Sequence, residues 1–273
     1  MHTKLSKIYQ FAIPRLQHAP IYLIQYACAY FQKGYTNSAS FYTEAQTIEK
    51  IQQGKSLVRL GDGEAMLLSG VGIWYQEYEK SLGRELRALI TKYTNQSNYI
   101  LTLPQKYTNV TNTELRNISI PEFNALHAWL PIKIWYKMIF PKNAIYADTC
   151  VFYSQHFFDQ IIPYLKTKKI IVITTQKNID AQKNRIEKDL HVISWIEAKA
   201  PNPYEWYEKY KLEIVAAIEL AKASHKDIVI LLSAGPASKP LAVYCSNIGI
   251  QAIDMGHGFE YLGDLARLEK QVI

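Results

Sequence analysis

The sequence predicts an α/β protein with a mostly parallel sheet and helices on both faces of that sheet. Short apolar runs of strand length recur along the chain, at residues 56–60, 99–103, 144–147, 169–174, 191–195, 227–232 and 251–254. Apolar residues are continuous within these runs, and segments of helical length separate the runs. Strands that are buried on both faces have this pattern, and parallel strands need such crossover helices.

Composition and charge limit the function classes. Of the 273 residues, 48% are hydrophobic and 12% are aromatic, so the chain can bury a sizeable core and is not disordered. The formal net charge of +7 favours anionic partners, such as phosphorylated small molecules or an anionic membrane. Lysines and arginines are spread along the chain instead of forming a dense run with interleaved aromatic residues. No nucleic-acid partner is therefore predicted.

Two features bear on localisation. Cys28, Cys150 and Cys245 are odd in number and widely spaced, which predicts neither disulfides nor a zinc site and favours a reducing compartment. Residues 1–39 are predicted to be an N-terminal helical extension, whose apolar run at 19–31 is shorter than the ~20 residues that span a bilayer. The extension either packs onto the domain, which we favour, or contacts the inner face of the membrane. A cytoplasmic protein, with peripheral membrane contact as the alternative, is predicted.

Helical patterns fill the segments between the strands. Helices are predicted at 42–53, 77–93, 155–166, 204–223, 237–247 and 259–270, with a helix or a loop at 176–188. Residues 105–120 are polar and turn-rich, which suits a mobile loop near a site or a surface connection. Core packing is favoured over an acceptor-binding lid for the aromatic segment 122–140. No repeat or linker interrupts residues 40–273, which are predicted to be one domain.

The acidic turn after the strand at 56–60 is the first candidate site. Asp62 and Glu64 follow that strand, and ligands bind at the carboxyl ends of strands in open α/β sheets. In a turn, the two carboxylates lie on one side, ~6.6 Å apart at Cα, and could hold one hard cation. On a helix they would point ~200° apart and could not share a ligand. The structural alternative is that Asp62 caps a helix at 64–69 and Glu64 lies in its first turn.

A second strand end carries a glycine-containing turn. Gly235 follows the strand at 227–232 and allows close backbone approach, and free amides there would face an anion. Ser238 and Lys239 would add a hydroxyl group and a positive charge to a phosphate or ribose subsite. The segment is not a Walker A loop, because G-x-x-x-x-G-K-[ST] occurs nowhere in the chain. The alternative is a simple strand-to-helix turn.

The turn after the last predicted strand combines acids with a histidine. Asp254, His257 and Glu260 lie within seven residues, and glycines flank the histidine. A histidine at a strand end suits a general base or a hydrogen-bond donor to phosphate, although a lone histidine is more often structural. Asp148 and Thr149 close another strand at the same predicted edge, with weaker grounds for a role.

Dinucleotide binding is a further interpretation of the first turn. Residues 61–66 begin like G-x-G-x-x-G but lack the third glycine. Two carboxylates in such a loop would repel a pyrophosphate unless a divalent cation screened them. With that cation, the carboxylates would be bridged to a nucleotide diphosphate, and the charge left when a glycosyl bond breaks would be stabilised.

Three blocks of the sequence, in this order, resemble the GT-D fold glycosyltransferases, a bacterial family first known as a domain of unknown function. The blocks are Arg59-Leu60-Gly61-Asp62-Gly63-Glu64, then Ala234-Gly235-Pro236 with Leu241-Ala242, then residues 249–257. The resemblance runs from about residue 40 to 265. It implies a Rossmann-like fold, transfer of a sugar from a UDP-sugar, and a divalent metal, typically manganese. The metal is held in the family by an Asp-x-Glu motif, which here is Asp62 and Glu64.

The sequence therefore predicts a metal-dependent glycosyltransferase that uses a nucleotide-sugar in bacterial cell-surface glycan synthesis. Its acceptor is a glycan, a glycoprotein or a lipid-linked sugar, and Mn²⁺ or Mg²⁺ binds to Asp62 and Glu64. The other predicted site residues are Arg59, Gly61, Gly235, Ser238 and Lys239 for the donor, and His257, Glu260 and Asp254 for catalysis. Arg59 either contacts the donor or braces the turn, His257 or Glu260 orients or deprotonates the acceptor, and Asp254 supports them. Two alternatives are a nucleotide- or phosphosugar-binding module without activity and a metal-dependent phosphohydrolase.

Overall fold

A computed structural model describes residues 20–120, 123–222 and 224–262. This part of the chain forms two compact units. The first comprises residues 20–40, 60–94 and 104–144, and the second comprises residues 41–59, 95–103 and 145–262, apart from the positions outside those ranges. Residues 1–19 of the predicted extension and most of the helix predicted at 259–270 lie outside the described residues.

A parallel eight-stranded sheet organises the second unit. The strands of the chain are β1 (Ser40–Phe41), β2 (Ser56–Val58), β3 (Tyr99–Leu103), β4 (Ser119–Ile120), β5 (Phe123–Asn124), β6 (Ile145–Asp148), β7 (Lys169–Thr174), β8 (His191–Glu197), β9 (Ile228–Ser233) and β10 (Gln251–Asp254). Their order in the sheet is β1-β6-β3-β2-β10-β9-β7-β8, while β4 and β5 form a separate antiparallel ribbon. The pairs from β6 through to β8 are all parallel. The predicted α/β class is therefore confirmed.

Helices connect these strands. They are α1 (Pro20–Phe31), α2 (Glu44–Gln52), α3 (Asp62–Leu68), α4 (Lys80–Thr91), α5 (Gln105–Thr108), α6 (Asn112–Asn117), α7 (Ala125–Ile139), α8 (Gln155–Lys166), α9 (Gln176–Asp189), α10 (Tyr207–Ala221), α11 (Ser238–Asn247) and α12 (Phe259–Leu262). Single 3₁₀ turns cover Thr149–Tyr153, Pro203–Trp206, His225–Asp227, Gly235–Ala237 and Gly256–Gly258. No helix among the residues described is long and apolar enough to cross a membrane.

Several predicted boundaries differ from the structure. The strand predicted at 56–60 ends at Val58, because the Arg59 N–H donates to the Asp254 side chain. The predicted loop at 105–120 contains α5 and α6. Helix α6 begins with a capping box. The Glu114 carboxylate accepts the Thr111 N–H, and the Thr111 hydroxyl group accepts the Glu114 N–H. That Thr-x-x-Glu pattern was the sequence signal for a helix here.

The core of the first unit forms around α7. Leu130, Ile134 and Trp135 are buried, and the indole N–H of Trp135 donates to Ser69 Oγ at 2.9 Å. The prediction of core packing for this segment is thus confirmed. Helix α1 lies against α7, and the Asn112 side chain donates to backbone carbonyls at the end of α1. The described part of the predicted extension contains this helix, which packs against α7 but leaves Ile24 and Phe31 exposed, so peripheral membrane contact stays a prediction.

The core of the second unit lies between the sheet and its helices. Leu57, Ile100, Val172 and Ile253 are strand residues of one buried apolar cluster, which also includes Phe157 and Phe158 of α8. Continuous apolar strands are buried because helices cover them, as the sequence pattern predicts. The sheet places the carboxyl ends of β2, β9 and β10 side by side.

Candidate active site

A buried ion pair joins the carboxyl ends of β2, β9 and β10. Asp254 is the last residue of β10 and is fully buried, and its Oδ2 lies 3.2 Å from Lys239 Nζ. The same oxygen accepts the Arg59 N–H at 3.2 Å, just after β2. Lys239 Nζ also donates to the carbonyl of Gly235, after β9. One carboxylate and one ammonium therefore fix three turns at one edge of the sheet.

The turn after β9 owes its shape to Gly235 and Ser238. Gly235 has a φ of +55°, in the left-handed region that favours glycine. Ser238 is buried, and its Oγ accepts the Ala234 N–H at 2.8 Å. The predicted contacts of Ser238 and Lys239 with a donor stay predictions. In the structure both side chains hold the turn itself.

Arg59 presents a guanidinium group beside the turn after β10. Gly256 has a φ of +50°, and a Cβ atom at that position would overlap Nη1 of Arg59 and come within 3.2 Å of Cζ. The arginine side chain is half-buried. Within the described ranges of the chain, the guanidinium group makes no hydrogen bond or ion pair. A half-buried guanidinium group to which none of the described residues binds is suited to binding an anion.

His257 and Glu260 lie on the surface of the same turn. Nδ1 of His257 is 3.4 Å from Oε1 of Glu260, and the two side chains are 71% and 44% exposed. Ser233 Oγ donates to the Gly256 carbonyl at 3.0 Å, which ties the turn to the end of β9. Gln182 on α9 donates to the Glu260 carbonyl at 3.2 Å. The backbone of the turn is therefore fixed, while the imidazole and the carboxylate are open to a substrate.

Asp62 and Glu64, in the first unit, are both helical. Glu64 is buried, and its Oε2 accepts the N–H of Gly61, the N-cap of α3, at 2.8 Å. Asp62 is the exposed first residue of α3, and its Oδ1 accepts the Gly63 N–H at 2.9 Å. The prediction that both carboxylates lie in a turn is wrong, because the helix begins at Asp62 and Glu64 satisfies a free N–H group of its first turn. The structural alternative is correct for Glu64, which lies in that first turn, but the N-cap is Gly61 and not Asp62.

The helical conformation changes what this pair can do. Side chains two positions apart on a helix point to different sides. Over the described ranges, no group of three or more His, Cys, Asp or Glu side chains is arranged to hold a metal ion. Direct coordination of one ion by both Asp62 and Glu64 is therefore disfavoured.

Asp148 and Thr149 have structural contacts. Asp148 Oδ1 accepts the Cys150 N–H at 3.1 Å and caps the 3₁₀ turn after β6. The hydroxyl groups of Thr149 and Thr102 are 2.7 Å apart and buried. A functional role for either residue stays a prediction.

An exposed aromatic hairpin was missed by the sequence interpretation. Ile73 and Gln76 pair in an antiparallel bridge, with Trp74 and Tyr75 at the tip between them. Trp74 is 91% exposed. The signal that could have found it is a tryptophan in a short run between Gly72 and the acidic residues that precede α4.

The fold and the site together define an α/β protein with a polar, anion-compatible edge at the carboxyl ends of its parallel strands. The family model described as "Glycosyltransferase GT-D fold" matches residues 57–262, which is more than half of the chain. The chain belongs to this family of glycosyltransferases. The resemblance that the three sequence blocks carried is therefore confirmed.

Individual relatives agree with this assignment. The chain is 27% identical over 218 residues to a "Probable glycosyl transferase Gly" of Streptococcus gordonii, covering 76% of this chain and 30% of that protein. It thus spans less than a third of the length of this relative. A solved structure described as a new glycosyltransferase from Streptococcus sanguinis matches with a TM-score of 0.67 at 22% identity, over 85% of each chain. Another, described as a domain of unknown function with a distinct glycosyltransferase fold, has a TM-score of 0.64 at 18% identity, over 90% of this chain and 85% of its own. At these identities the two structures support the fold alone.

Proposed function

We propose that the protein transfers a sugar from a nucleoside-diphosphate sugar, a UDP-sugar, to a hydroxyl group of a glycan, glycoprotein or lipid-linked acceptor. Family membership supports glycosyl transfer as the reaction class. The observation that supports a diphosphate-containing donor is the Arg59 guanidinium group. This group is half-buried and has no partner in the described part of the chain. Such a group calls for an anion, and a diphosphate offers oxygens for bidentate hydrogen bonds.

The ion pair of Lys239 and Asp254 has a positioning role in this proposal. It is buried and holds the backbone of Arg59 beside Gly256. The absence of a side chain at Gly256 leaves the space that the guanidinium group fills. The diphosphate would bind to Arg59 and to the turn at Gly235, while Lys239 stays in the ion pair.

A divalent cation, Mn²⁺ or Mg²⁺, is the cofactor that the family implies. Carboxylate oxygens are suitable ligands for it, and Asp62 is exposed at the start of α3. Glu64 already accepts the Gly61 N–H, so in our proposal Asp62 coordinates directly and Glu64 through water. When bound, the cation neutralises charge on the leaving diphosphate.

The exposed pair of His257 and Glu260 would act on the acceptor. Glu260 orients the imidazole through the 3.4 Å contact to Nδ1. The other ring nitrogen then accepts the proton of the acceptor hydroxyl as its oxygen bonds to the anomeric carbon. The bond from that carbon to the diphosphate oxygen breaks, and its electron pair leaves with the diphosphate.

Nucleotide binding tests the donor assignment. We expect Arg59→Met to weaken UDP binding about 10- to 100-fold in isothermal titration calorimetry, since a charge-assisted bidentate contact is lost. Gly256→Ala is a second variant, because its Cβ displaces the same guanidinium group without removing it. The exposed Arg84→Met on α4 is the control and keeps wild-type affinity. Unchanged UDP affinity in Arg59→Met and Gly256→Ala would refute the proposed donor site.

Turnover of a UDP-sugar tests the metal assignment. Asp62→Asn should lower Mn²⁺-dependent turnover by at least ~100-fold, as expected for a lost ligand of a catalytic ion. Glu64→Gln keeps an oxygen for the Gly61 N–H and should cost less. Metal-independent turnover that neither variant changes would sink the metal assignment. Release of free phosphate in place of UDP would instead indicate a phosphohydrolase.

A further inference from the structure

The aromatic hairpin, residues 72–78 of the first unit, is built to hold two rings at its tip. Ile73 and Gln76 exchange backbone hydrogen bonds of 2.8 and 3.1 Å, so only Trp74 and Tyr75 form the turn. The two rings meet edge to face, with centroids 4.7 Å apart and an interplanar angle of 76°. This arrangement fixes the indole by a favourable aromatic contact.

The base of the hairpin is packed tightly. Gln76 is buried, and its side-chain amide donates to the Glu77 carbonyl at 3.0 Å and to Glu79 Oε1 at 3.3 Å. A Cβ atom at Gly72 would approach Tyr78 N to 3.0 Å, so a side chain there would crowd the backbone of the base. The tip is therefore presented by an ordered base, and its exposure is not that of a loose loop.

Trp74 is the most exposed large apolar side chain that the structure describes. It is 91% exposed, and its indole N–H makes no hydrogen bond to any described residue. Leaving so large an apolar surface in water is unfavourable. An exposed aromatic side chain on an ordered support therefore indicates a binding surface.

The hairpin lies against the start of α3. A Cβ atom at Gly63 would be 3.3 Å from Cδ1 of Ile73 and 3.8 Å from the hydroxyl group of Tyr75. Gly63 is the residue between Asp62 and Glu64. Tyr75 of the tip is thus next to Gly63, the residue between the two carboxylates of the proposed metal site, within the same unit.

We propose that Trp74, supported by Tyr75, stacks on a pyranose ring of the acceptor saccharide. One face of a pyranose carries C–H groups and suits an aromatic ring, while its hydroxyl groups point outward into water. A platform that is 91% exposed fits a ligand that stays half-solvated. A nucleotide base would instead be enclosed by its pocket. This inference rests on the proposed function, because it requires a carbohydrate acceptor.

Fluorine NMR of the full chain labelled with 5-fluorotryptophan tests the platform. The chain has five tryptophans, and Trp74→Phe identifies the Trp74 resonance. We expect cellotetraose, maltotetraose or chitotetraose to shift that resonance saturably and to leave the others unchanged. In calorimetry, Trp74→Ala should weaken binding of the same saccharide about three- to tenfold, which corresponds to the loss of one aromatic stacking contact. Trp74→Phe keeps an aromatic ring and should retain most of the wild-type affinity.

Phe31→Ala is the matched control, because Phe31 is 78% exposed and meets Tyr30 edge to face at 5.4 Å. It should leave saccharide binding unchanged. A shift of the Trp74 resonance with UDP and Mn²⁺ instead of saccharide would overturn the inference in favour of a base platform. Broadening with phosphatidylglycerol vesicles alone would overturn it in favour of a membrane contact. No shift with any of the three saccharides would overturn it as well.

UDP binding to wild type and Arg59→Met reports separately on the donor site. Failure of the proposed donor site can therefore be distinguished from failure of the aromatic platform.

Discussion

Two lysine side chains are buried in the described chain, one in each unit, and their surroundings differ in one respect. Lys133 of α7 is fully buried, and its ammonium donates to the carbonyls of Tyr35 and Val110 and to Oδ1 of Asn112. These three acceptors are neutral. Lys239 of α11 is 3% exposed and is paired with a carboxylate, that of Asp254.

The difference separates two roles. Lys133 stabilises the packing of its unit, which we call a clamp, and Lys239 positions residues of the candidate site, which we call a brace. Burial lowers the pKa of Lys133 to about 8 and outweighs the opposing effect of the Glu114 carboxylate, which makes no hydrogen bond to this ammonium. Its hydrogen bonds join α7 to the segments around residues 35 and 110–112, so they hold the first unit together. The carboxylate of Asp254 also accepts the Arg59 N–H. The same residue type therefore fixes packing in one unit and positions candidate functional groups in the other.

Among the lysine variants, we expect Lys239→Met to have the largest effect on stability. If it had none, the contrast between the two lysines would be wrong. The substitution leaves Asp254 buried without its cationic partner, which costs about 3–5 kcal/mol of the free energy of unfolding. We also expect weaker UDP binding, since the turn that holds Arg59 loses its brace. Urea unfolding and calorimetry measure the two effects.

The double variant Lys239→Met/Asp254→Asn is the control for this prediction. Its amide can still accept the Arg59 N–H, and no charge is left buried, so more than half of the lost stability should return. A loss below about 1 kcal/mol in the single variant would contradict a buried ion pair.

Lys133→Met should cost less and should spare the site. The substitution leaves two buried acceptors and one partly buried acceptor without their donor but also removes a buried charge, so we expect a loss of about 2 kcal/mol in urea unfolding. UDP affinity should be unchanged. Lys137→Met, at an exposed position of the same helix, is the matched control and should cost at most about 1 kcal/mol. Weakened UDP binding in Lys133→Met would remove the distinction between clamp and brace.

Much of the sheet could be predicted from the sequence, because each strand is a local apolar run. The strands Tyr99–Leu103, Lys169–Thr174 and Gln251–Asp254 agree with their predicted bounds. The start of α3 could not be predicted as securely. It depends on whether the Glu64 carboxylate accepts the Gly61 N–H. One such contact decides between a turn and the first turn of a helix, and its energy is only about 1 kcal/mol.

The arrangement of the site was only partly predictable. The positions of Arg59, Lys239 and Asp254 at strand ends followed from the pattern of runs and turns, but their pairing did not. Arg59 and Asp254 are 195 residues apart in sequence, and only the order of strands in the sheet joins them. Lys133 lies in an apolar helical run, where a lysine would ordinarily be assigned to the surface. Its burial depends on carbonyl groups from two other segments.

The smallest expected effect is the pH dependence of the free energy of unfolding, which tests whether Lys133 is charged in the folded protein. Burial lowers the pKa of Lys133 to about 8 from an ordinary value of 10.5. Between these two values the unfolded chain binds more protons than the folded chain, so the free energy of unfolding rises with pH and this gain is lost as the pH falls to 8. Burial raises the pKa of Tyr35 to about 12, which opposes the gain above pH 10, so the useful window is pH 8 to 10.

In that window the stability of the wild type relative to Lys133→Met should rise by about 1–2 kcal/mol. Lys142, whose pKa burial also lowers to about 8, is present in both proteins and cancels in the difference. Urea unfolding of the two proteins at several pH values measures this difference. A gap that stays constant from pH 8 to 10 would mean that Lys133 keeps its proton, as a lysine with a carboxylate partner does. The two buried lysines would then be alike in charge, and only their hydrogen-bond partners would distinguish them.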